Sequence, residues 1–100
     1  MGVSYFPARG AVKSVQQITG AFESGYGANT TVQKDESINT VDPDKTVVIL
    51  NTSWTNYYNV YAELRAWLLN STTVRLEIHN SGSGSSGGAV NYSAVVVEYY

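Results

Sequence analysis

The chain has no cysteine, few charged residues and no long apolar run, and each absence excludes a class of protein. Without cysteine there is no disulfide, no thiolate nucleophile and no zinc–sulfur site. Charged residues make up 14% of the 100 residues, against about 25% in average globular chains. A net charge of −2 gives no electrostatic footprint for nucleic acid or an anionic membrane. No apolar stretch approaches the roughly 20 residues of a membrane-spanning helix. We therefore expect neither nucleic acid nor a membrane as a partner.

The first ten residues, MGVSYFPARG, also lack the apolar core of a secretory signal, so we expect synthesis in a cytoplasm without export by that route. This segment contains Tyr5, Phe6 and Pro7. One interpretation is a frayed terminus. The other is an N-terminal arm, residues 1–11, that docks on a neighbouring molecule, because two aromatic rings beside a proline gain by burial.

The clearest pattern lies in residues 60–79. Residues 74–79 (VRLEIH) alternate strictly between apolar and polar side chains, which is the period of a half-buried β-strand. A turn at residues 70–72 would fold residues 60–69 back along this strand. The same register then pairs the side chains of one face as an aromatic–cation contact (Trp67–Arg75), an ion pair (Arg65–Glu77) and a charge–imidazole pair (Glu63–His79). Because one register satisfies both faces, a hairpin is favoured. The alternative is a helix, since residues 62–66 (AELRA) are strong helix formers.

Alternation predicts further strands at residues 11–19 and 89–100. We also expect a polar strand at residues 30–41, anchored by Val32 and Ile38, and a β-branched strand at residues 46–50. Residues 46–50 (TVVIL) are apolar on both faces, so we expect a central strand buried on both sides. In the last strand the denser apolar row is Val95, Val97 and Tyr99, and we expect that row to face the core. About six short strands separated by turns every 8–12 residues predict an all-β fold. The fold class is an antiparallel β-sandwich of about six to seven strands, formed by residues 12–100.

The residues that usually carry catalysis or bind metals do not form a recognisable motif. His79 is the single histidine, so a zinc site or a catalytic triad would have to be built around it, and we expect it beside Glu63 on a strand face. A turn accounts for Asp42 and Asp44. The glycines of residues 80–88 are followed by a strand and by no lysine, which excludes a phosphate loop. We therefore predict that the protein is not an enzyme and that it binds no cofactor or metal.

Two aromatic-rich surfaces remain as candidate interaction sites. The first is a polar loop whose rings and amide suit a sugar or a protein partner, formed by Trp54, Asn56, Tyr57 and Tyr58. Alternatively, Trp54 and one tyrosine fold inward and cap the sandwich. The second surface is the outer face of the hairpin, where exposed rings indicate a subunit contact. We expect that contact to be formed by Tyr61, Arg65, Trp67, Arg75 and Glu77.

Four short motifs resemble small β modules of tailed-phage virions, which occur in tail fibres and in head or tail accessory proteins. They are residues 12–17 (VKSVQQ), 41–48 (VDPDKTVV), 69–74 (LNSTTV) and 96–99 (VVEY). Their order is also similar to that in the H-type lectin domain, a six-stranded antiparallel sandwich that assembles as a trimer and binds sugars. The resemblance covers residues 12–100.

The resemblance implies a non-enzymatic virion protein that associates with copies of itself, as a trimer, and docks on capsid or tail proteins. A short chain with an N-terminal arm suits a capsid-decoration or a tail or fibre attachment subunit, with Tyr5, Phe6 and Pro7 as the anchor. The alternative is a carbohydrate-binding module of the H-type lectin kind that recognises glycans on a host surface. No position matches a sugar-binding residue of those lectins, so no such residue is carried over.

Overall fold

The computed structural model describes residues 11–22, 29–54, 62–82 and 90–100, with the side chains of residues 53 and 54 excepted. The strands are β1 (Val12–Phe22), β2 (Thr30–Ser37), β3 (Thr46–Trp54), β4 (Ala62–Asn70), β5 (Thr73–Asn80) and β6 (Val90–Tyr99). They form two antiparallel three-stranded sheets, the first with the order β1-β6-β3 and the second with the order β2-β5-β4. A short 3₁₀ turn, Pro43–Lys45, precedes β3. The predicted all-β antiparallel sandwich is confirmed. No helix among these residues is long and apolar enough to cross a membrane.

The hairpin predicted for residues 60–79 is present as β4 and β5, and the helical alternative is wrong. Its register pairs the residues that were expected to face each other, Trp67 with Arg75, Arg65 with Glu77, and Glu63 with His79. At the turn, the side-chain oxygen of Asn70 accepts a 2.9 Å hydrogen bond from the backbone N–H of Thr72. The sequence Asn–Ser–Thr favours such a turn, because the side chain of Asn can accept a hydrogen bond from the backbone N–H two residues later.

The core lies between the two sheets and is built from one side-chain row of each strand. β5 contributes Val74, Leu76 and Ile78, and each of them has no exposed surface. The same buried cluster includes Ala94 and Val96 of β6, which are also fully buried. Burying an aliphatic side chain of this size stabilises the fold by about 1.5–3 kcal/mol. The two central strands, β5 and β6, therefore carry most of the packing.

The prediction that Val95, Val97 and Tyr99 face the core is wrong. The inner row of β6 is the other one, which runs through Val90, Tyr92, Ala94 and Val96. Its ring and its small alanine fit the space between the sheets, where the Tyr92 ring lies 5.8 Å from the Phe22 ring. Val97 is nevertheless only 8% exposed, because it lies in the central strand between Val15 and Val47.

The prediction that residues 46–50 form a central strand is also wrong. β3 pairs with β6 on one side only and stands at the edge of the first sheet. Its inner side chains, Val48 and Leu50, pack against the core. Its outer side chains, Val47 and Ile49, are 46% and 51% exposed. The outer side chains of β3 are exposed because the second sheet covers only the inner face of the first sheet and because β3 has a neighbouring strand on one side only.

The hairpin turn and the connection from β2 to β3 lie together at one end of the sandwich. The backbone N–H groups of Ile38 and Val41 donate 2.9 Å hydrogen bonds to the carbonyl oxygens of Thr72 and Ser71. β2 ends at Ser37, earlier than expected, and Val41 in this connection is buried at 4% exposure. Within each sheet, the strand ends that flank residues 23–28, 55–61 and 83–89 lie at the end away from this connection.

Candidate functional site

The outer face of the second sheet is a ladder of polar side chains, and we call it the polar face. Antiparallel pairing places side chains of three strands side by side in rows. The rows are Thr31–His79–Glu63, Gln33–Glu77–Arg65 and Asp35–Arg75–Trp67. The hairpin residues in these rows were predicted from the sequence. The partners from β2 were not, because nothing in the local pattern shows which strand will lie beside β5.

Glu77 is the centre of the polar face. Although it lies on an outer face, it is only 9% exposed. One of its carboxylate oxygens accepts a 3.0 Å hydrogen bond from Gln33 Nε2, and the other accepts one from Arg65 Nη2. The Gln33 bond, followed by the bond and the charge of Arg65, holds the pKa of Glu77 below its ordinary value, against the opposing effect of desolvation. The predicted Arg65–Glu77 ion pair is present.

Arg75 forms the second ion pair of the polar face, but with β2 instead of β4. Its Nε and Nη2 atoms donate hydrogen bonds of 2.8 and 3.0 Å to the two carboxylate oxygens of Asp35. This bidentate contact lowers the pKa of Asp35 and raises that of Arg75. Trp67 stands opposite Arg75 in register, as predicted, and is 36% exposed. The guanidinium that was expected on its ring is thus directed to a carboxylate on the neighbouring strand.

His79 also pairs with β2. Its Nδ1 atom lies 2.7 Å from Thr31 Oγ1 in a hydrogen bond. Glu63 stands opposite His79 in the β4–β5 register, as expected. Within the described part of the chain, no three histidine, aspartate or glutamate side chains lie close enough together to hold a metal ion.

The outer face of the first sheet has the opposite chemistry, and we call it the apolar face. It consists of Val15, Val47, Ile49, Val95 and Val97. Two rows cross its three strands, Val15–Val97–Val47 and Gln17–Val95–Ile49. Val15, Val47 and Ile49 are 61%, 46% and 51% exposed. The sequence did contain the signal for this surface, since both β3 and β6 have an apolar row on each side. The sequence pattern predicted a core position for these residues, and the structure places them on the outer face.

Two further polar contacts lie inside the sandwich and join distant segments. The hydroxyl of Tyr92, on β6, donates a 2.8 Å hydrogen bond to Glu36 on β2. Burial and the neighbouring Glu36 raise the pKa of Tyr92 well above its ordinary value. Lys34 lies over the Tyr92 ring, with Nζ 5.6 Å from the ring centroid. These contacts tie the first sheet to the second, and we assign them a structural role.

The second interior contact is at Glu98, which is 4% exposed. Its carboxylate accepts hydrogen bonds from the hydroxyl of Ser14 at 3.1 Å and from the backbone N–H of Asp42 at 2.9 Å. Lys13 Nζ lies 3.9 Å away. A single carboxylate therefore binds the start of β1 and the connection that leads into β3.

The remaining predicted site residues cannot be assigned from the described part of the chain. The arm residues Tyr5, Phe6 and Pro7, the loop residues Asn56, Tyr57 and Tyr58, and the hairpin residue Tyr61 lie outside it. Trp54, which was expected in the loop, is instead the last residue of β3, where its backbone pairs with Val90. The strand is longer than predicted because residues 51–54 continue the pairing with β6.

Fold and surfaces together define a small all-β sandwich with one charged and one aliphatic outer face. Comparisons with protein-family models, with curated proteins and with solved structures find no match to this chain.

Proposed function

We propose that this chain is a non-enzymatic structural subunit of a tailed-phage particle, which associates with copies of itself and docks on the capsid or the tail. The observation that carries the proposal is the exposure of the apolar face, where Val15, Val47 and Ile49 stand on the two edge strands, on either side of Val95 and Val97, at 46–61% exposure. Contiguous aliphatic surface is unfavourable in water and marks interaction sites on small proteins.

The virion setting is supported by the resemblance of the four sequence motifs to small β modules of phage particles. The arrangement of the described strands adds support, because six strands in two antiparallel sheets are the architecture that the similarity to H-type lectin domains implies. The same similarity suggests three copies in the assembly. In this proposal the N-terminal arm, with Tyr5, Phe6 and Pro7, anchors the subunit to the particle.

The polar face was the predicted subunit contact, and that assignment stays a prediction. Arg65 and Arg75 are paired with Glu77 and Asp35 within the second sheet. Ion pairs that are already formed within one copy add little to the affinity between copies, since burying them in an interface costs desolvation free energy. The polar face therefore has a weaker reason to bind another copy than the apolar face has.

Self-association is tested by placing one charge on each outer face of the full chain. Ile49→Lys puts an ammonium group on the apolar face, and the matched control Thr31→Lys puts one at an exposed edge-strand position of the polar face. By light scattering over a range of concentrations, we expect the wild-type chain and Thr31→Lys to be oligomers. Ile49→Lys should bind at least about tenfold more weakly, because burying an unpaired charge costs more than 1.4 kcal/mol. A wild-type chain that stays monomeric at high concentration contradicts the proposal.

The virion setting needs its own measurement. Phage particles are purified from the strain that carries the gene, and their proteins are identified by mass spectrometry. We expect peptides of this chain in the particle fraction at a fixed ratio to the major capsid or tail proteins. Their absence from intact particles, when the chain is present in the lysate, contradicts this part of the proposal.

A second candidate function is recognition of host-surface glycans by an H-type-lectin-like module. A topological observation favours it. In the first sheet the ends of β1 and β3 lie beside the start of β6, and in the second sheet the starts of β2 and β4 lie beside the end of β5, so the residues that flank 23–28, 55–61 and 83–89 lie at one end of each sheet. Connecting segments carried by a rigid β scaffold are a common place for binding residues. Specific binding on a glycan array that is lost in Trp54→Ala supports this function, and no binding by the oligomeric protein contradicts it.

A further inference from the structure

We infer that the apolar face lines a symmetry axis parallel to the strands, so that β1 of one copy packs against β3 of the next. The inference rests on the proposed self-association and adds to it the face, the direction of the axis and the residues that meet.

The direction of the axis follows from the strand order. β1 and β3 both pair antiparallel with β6 and stand on either side of it, so they run in the same direction. Rotation about an axis parallel to these strands keeps every residue at its height. It also brings the β1 edge of one copy next to the β3 edge of its neighbour. Val15 and Val47 share one row, so they would meet across the contact.

The occupant of this face is another copy because the face matches itself. The row Val15–Val97–Val47 has a valine at all three positions, so its β1 end and its β3 end present the same side chain to a neighbouring copy. The second row contains a glutamine and two aliphatic residues and no charge. Identical copies can therefore meet here without bringing like charges together, which is the usual cost of a symmetric contact.

The charges at the rim are also complementary. Lys13 lies at the start of β1, with its side chain 53% exposed and its Nζ atom at a long 3.9 Å from Glu98 of the same copy. At the same end of the sheet, the residues before β3 include Asp42, Asp44 and Lys45, which together are acidic. Around an axis parallel to the strands, the lysine of one copy faces this acidic connection of the next. Such pairs at a rim favour one orientation over others.

The exposed area also has the size expected of a subunit contact. Three half-exposed aliphatic side chains amount to a patch on the order of a few hundred Å², comparable to the largest patch on a typical monomer. That is also the scale of the apolar centre of an interface that buries about 800 Å² on each partner and has a polar rim. The apolar face can therefore supply the centre of a stable contact between copies.

Cysteine cross-linking tests the inference directly, because the chain has no cysteine of its own. The full chain carries Val15→Cys and Val47→Cys together and is oxidised to form disulfides, and the gel is run without reductant. A disulfide needs Cα atoms within about 7 Å, whereas the two positions of one copy lie two strand spacings, about 9–10 Å, apart, so only thiols of different copies can join. The control pair, Thr31→Cys with Glu63→Cys, occupies the two edge strands of the polar face in the same way. All four positions are exposed, so the substitutions leave the core intact.

We expect the Val15–Val47 pair to give a covalent ladder on a denaturing gel that ends at the number of copies found by light scattering. Its yield should exceed that of the control pair by about tenfold, because the assembly holds the thiols at high effective concentration. A mixture of the two single variants should give dimers only, and each single variant alone should give almost none.

The other outcomes separate this inference from the proposed function. An oligomer that cross-links through the polar face and not through Val15 and Val47 overturns the inference and leaves self-association standing. Strong cross-linking of Val15→Cys alone indicates an axis across the strands and overturns the inference. A ladder that continues beyond the measured oligomer indicates an open chain of copies and overturns it too. A monomer contradicts both.

Discussion

The two outer faces of this sandwich rest on the same core and share the same alternation, yet they have opposite chemistry. On the polar face, Glu77 is bonded by Gln33 and Arg65, and every residue that pairs with it lies in the second sheet. On the apolar face, Val15 and Val47 stand at 61% and 46% exposure on either side of a buried Val97. One face completes its interactions within the sheet, and the other leaves aliphatic surface in water.

The difference shows which requirements belong to folding and which belong to assembly. A sheet needs one apolar row per strand to form the core, and the inner rows already provide it. A second aliphatic row adds nothing to a core that it cannot reach. Its presence on β3 and β6 is accounted for when another molecule covers that row. The polar face is suited to permanent contact with water, since its charges are paired and its outer atoms are solvated.

The largest difference in unfolding free energy is expected between a core substitution and a substitution on the apolar face. Leu76 is fully buried, and Leu76→Ala should lower the free energy of unfolding by about 2–5 kcal/mol, because it removes buried methyl groups and leaves a cavity. The matched change on the apolar face, Val47→Thr, keeps the shape and the β propensity. It should change the monomer's stability by no more than about 0.5 kcal/mol.

Urea unfolding measures both variants, at a concentration where the Ile49→Lys background keeps the chain monomeric. The comparison between faces fails if Val47→Thr destabilises this monomer as much as Leu76→Ala does. In that case the outer valines would belong to the fold and not to an interface.

An intermediate loss of unfolding free energy is expected at Glu98, whose carboxylate lies on the inner side of the first sheet. Glu98→Ala removes the acceptor of the Asp42 backbone N–H and of the Ser14 hydroxyl. Because water can reach both partly buried donors, the loss should cost about 0.5–1.5 kcal/mol for a typical hydrogen bond. Glu98→Gln keeps an acceptor oxygen and should cost less. Amide hydrogen exchange at Asp42 should speed up in the alanine variant beyond its effect on the inner residues of β5. Equal acceleration throughout the chain would show that Glu98 has no local role.

The sequence alone allowed the hairpin to be predicted residue by residue, and particular residues explain why. In residues 74–79 both faces were marked, one by aliphatic and the other by charged side chains, so only one register satisfied them. For β6 the alternation defined two rows but not which row faces inward. The denser apolar row, with Val95 and Val97, was predicted to face the core. In the structure, the row with Tyr92 and Ala94 packs between the sheets. Packing against strands remote in sequence decided that choice.

The candidate surfaces were predictable to a smaller extent, for the same reason. The ion pair between Arg65 and Glu77 joins strands connected by a tight turn and was visible in the pattern. The pair between Asp35 and Arg75 spans 40 residues and depends on β2 lying beside β5. The exposure of the apolar face depends on β3 being an edge strand, and no local sequence pattern indicates that position. Nonlocal strand order is therefore the information that the sequence interpretation lacked.

The smallest effect is expected from lowering the pH. It distinguishes the two faces well, because the paired carboxylates lie on the polar face and the apolar face has none. Glu77 is held below its ordinary pKa of 4.5 in the folded chain. A carboxylate with a lowered pKa contributes stability that is fully present above its unfolded-state pKa and is lost as the pH falls through the folded-state pKa. Unfolding free energies of the wild-type chain should therefore decline as the pH falls from about 5 to 3. Glu77→Gln should flatten that decline and retain the Gln33 contact, while Asp35→Asn removes the part due to the Arg75 pair.

Neither variant should alter the oligomer measured at neutral pH, because both lie on the polar face. If Glu77→Gln disperses the oligomer and leaves the pH dependence of unfolding unchanged, the roles of the two faces are reversed. The charged ladder would then bind the neighbouring copies, as the hairpin pattern first indicated, and the exposed valines would have to be accounted for by a different partner.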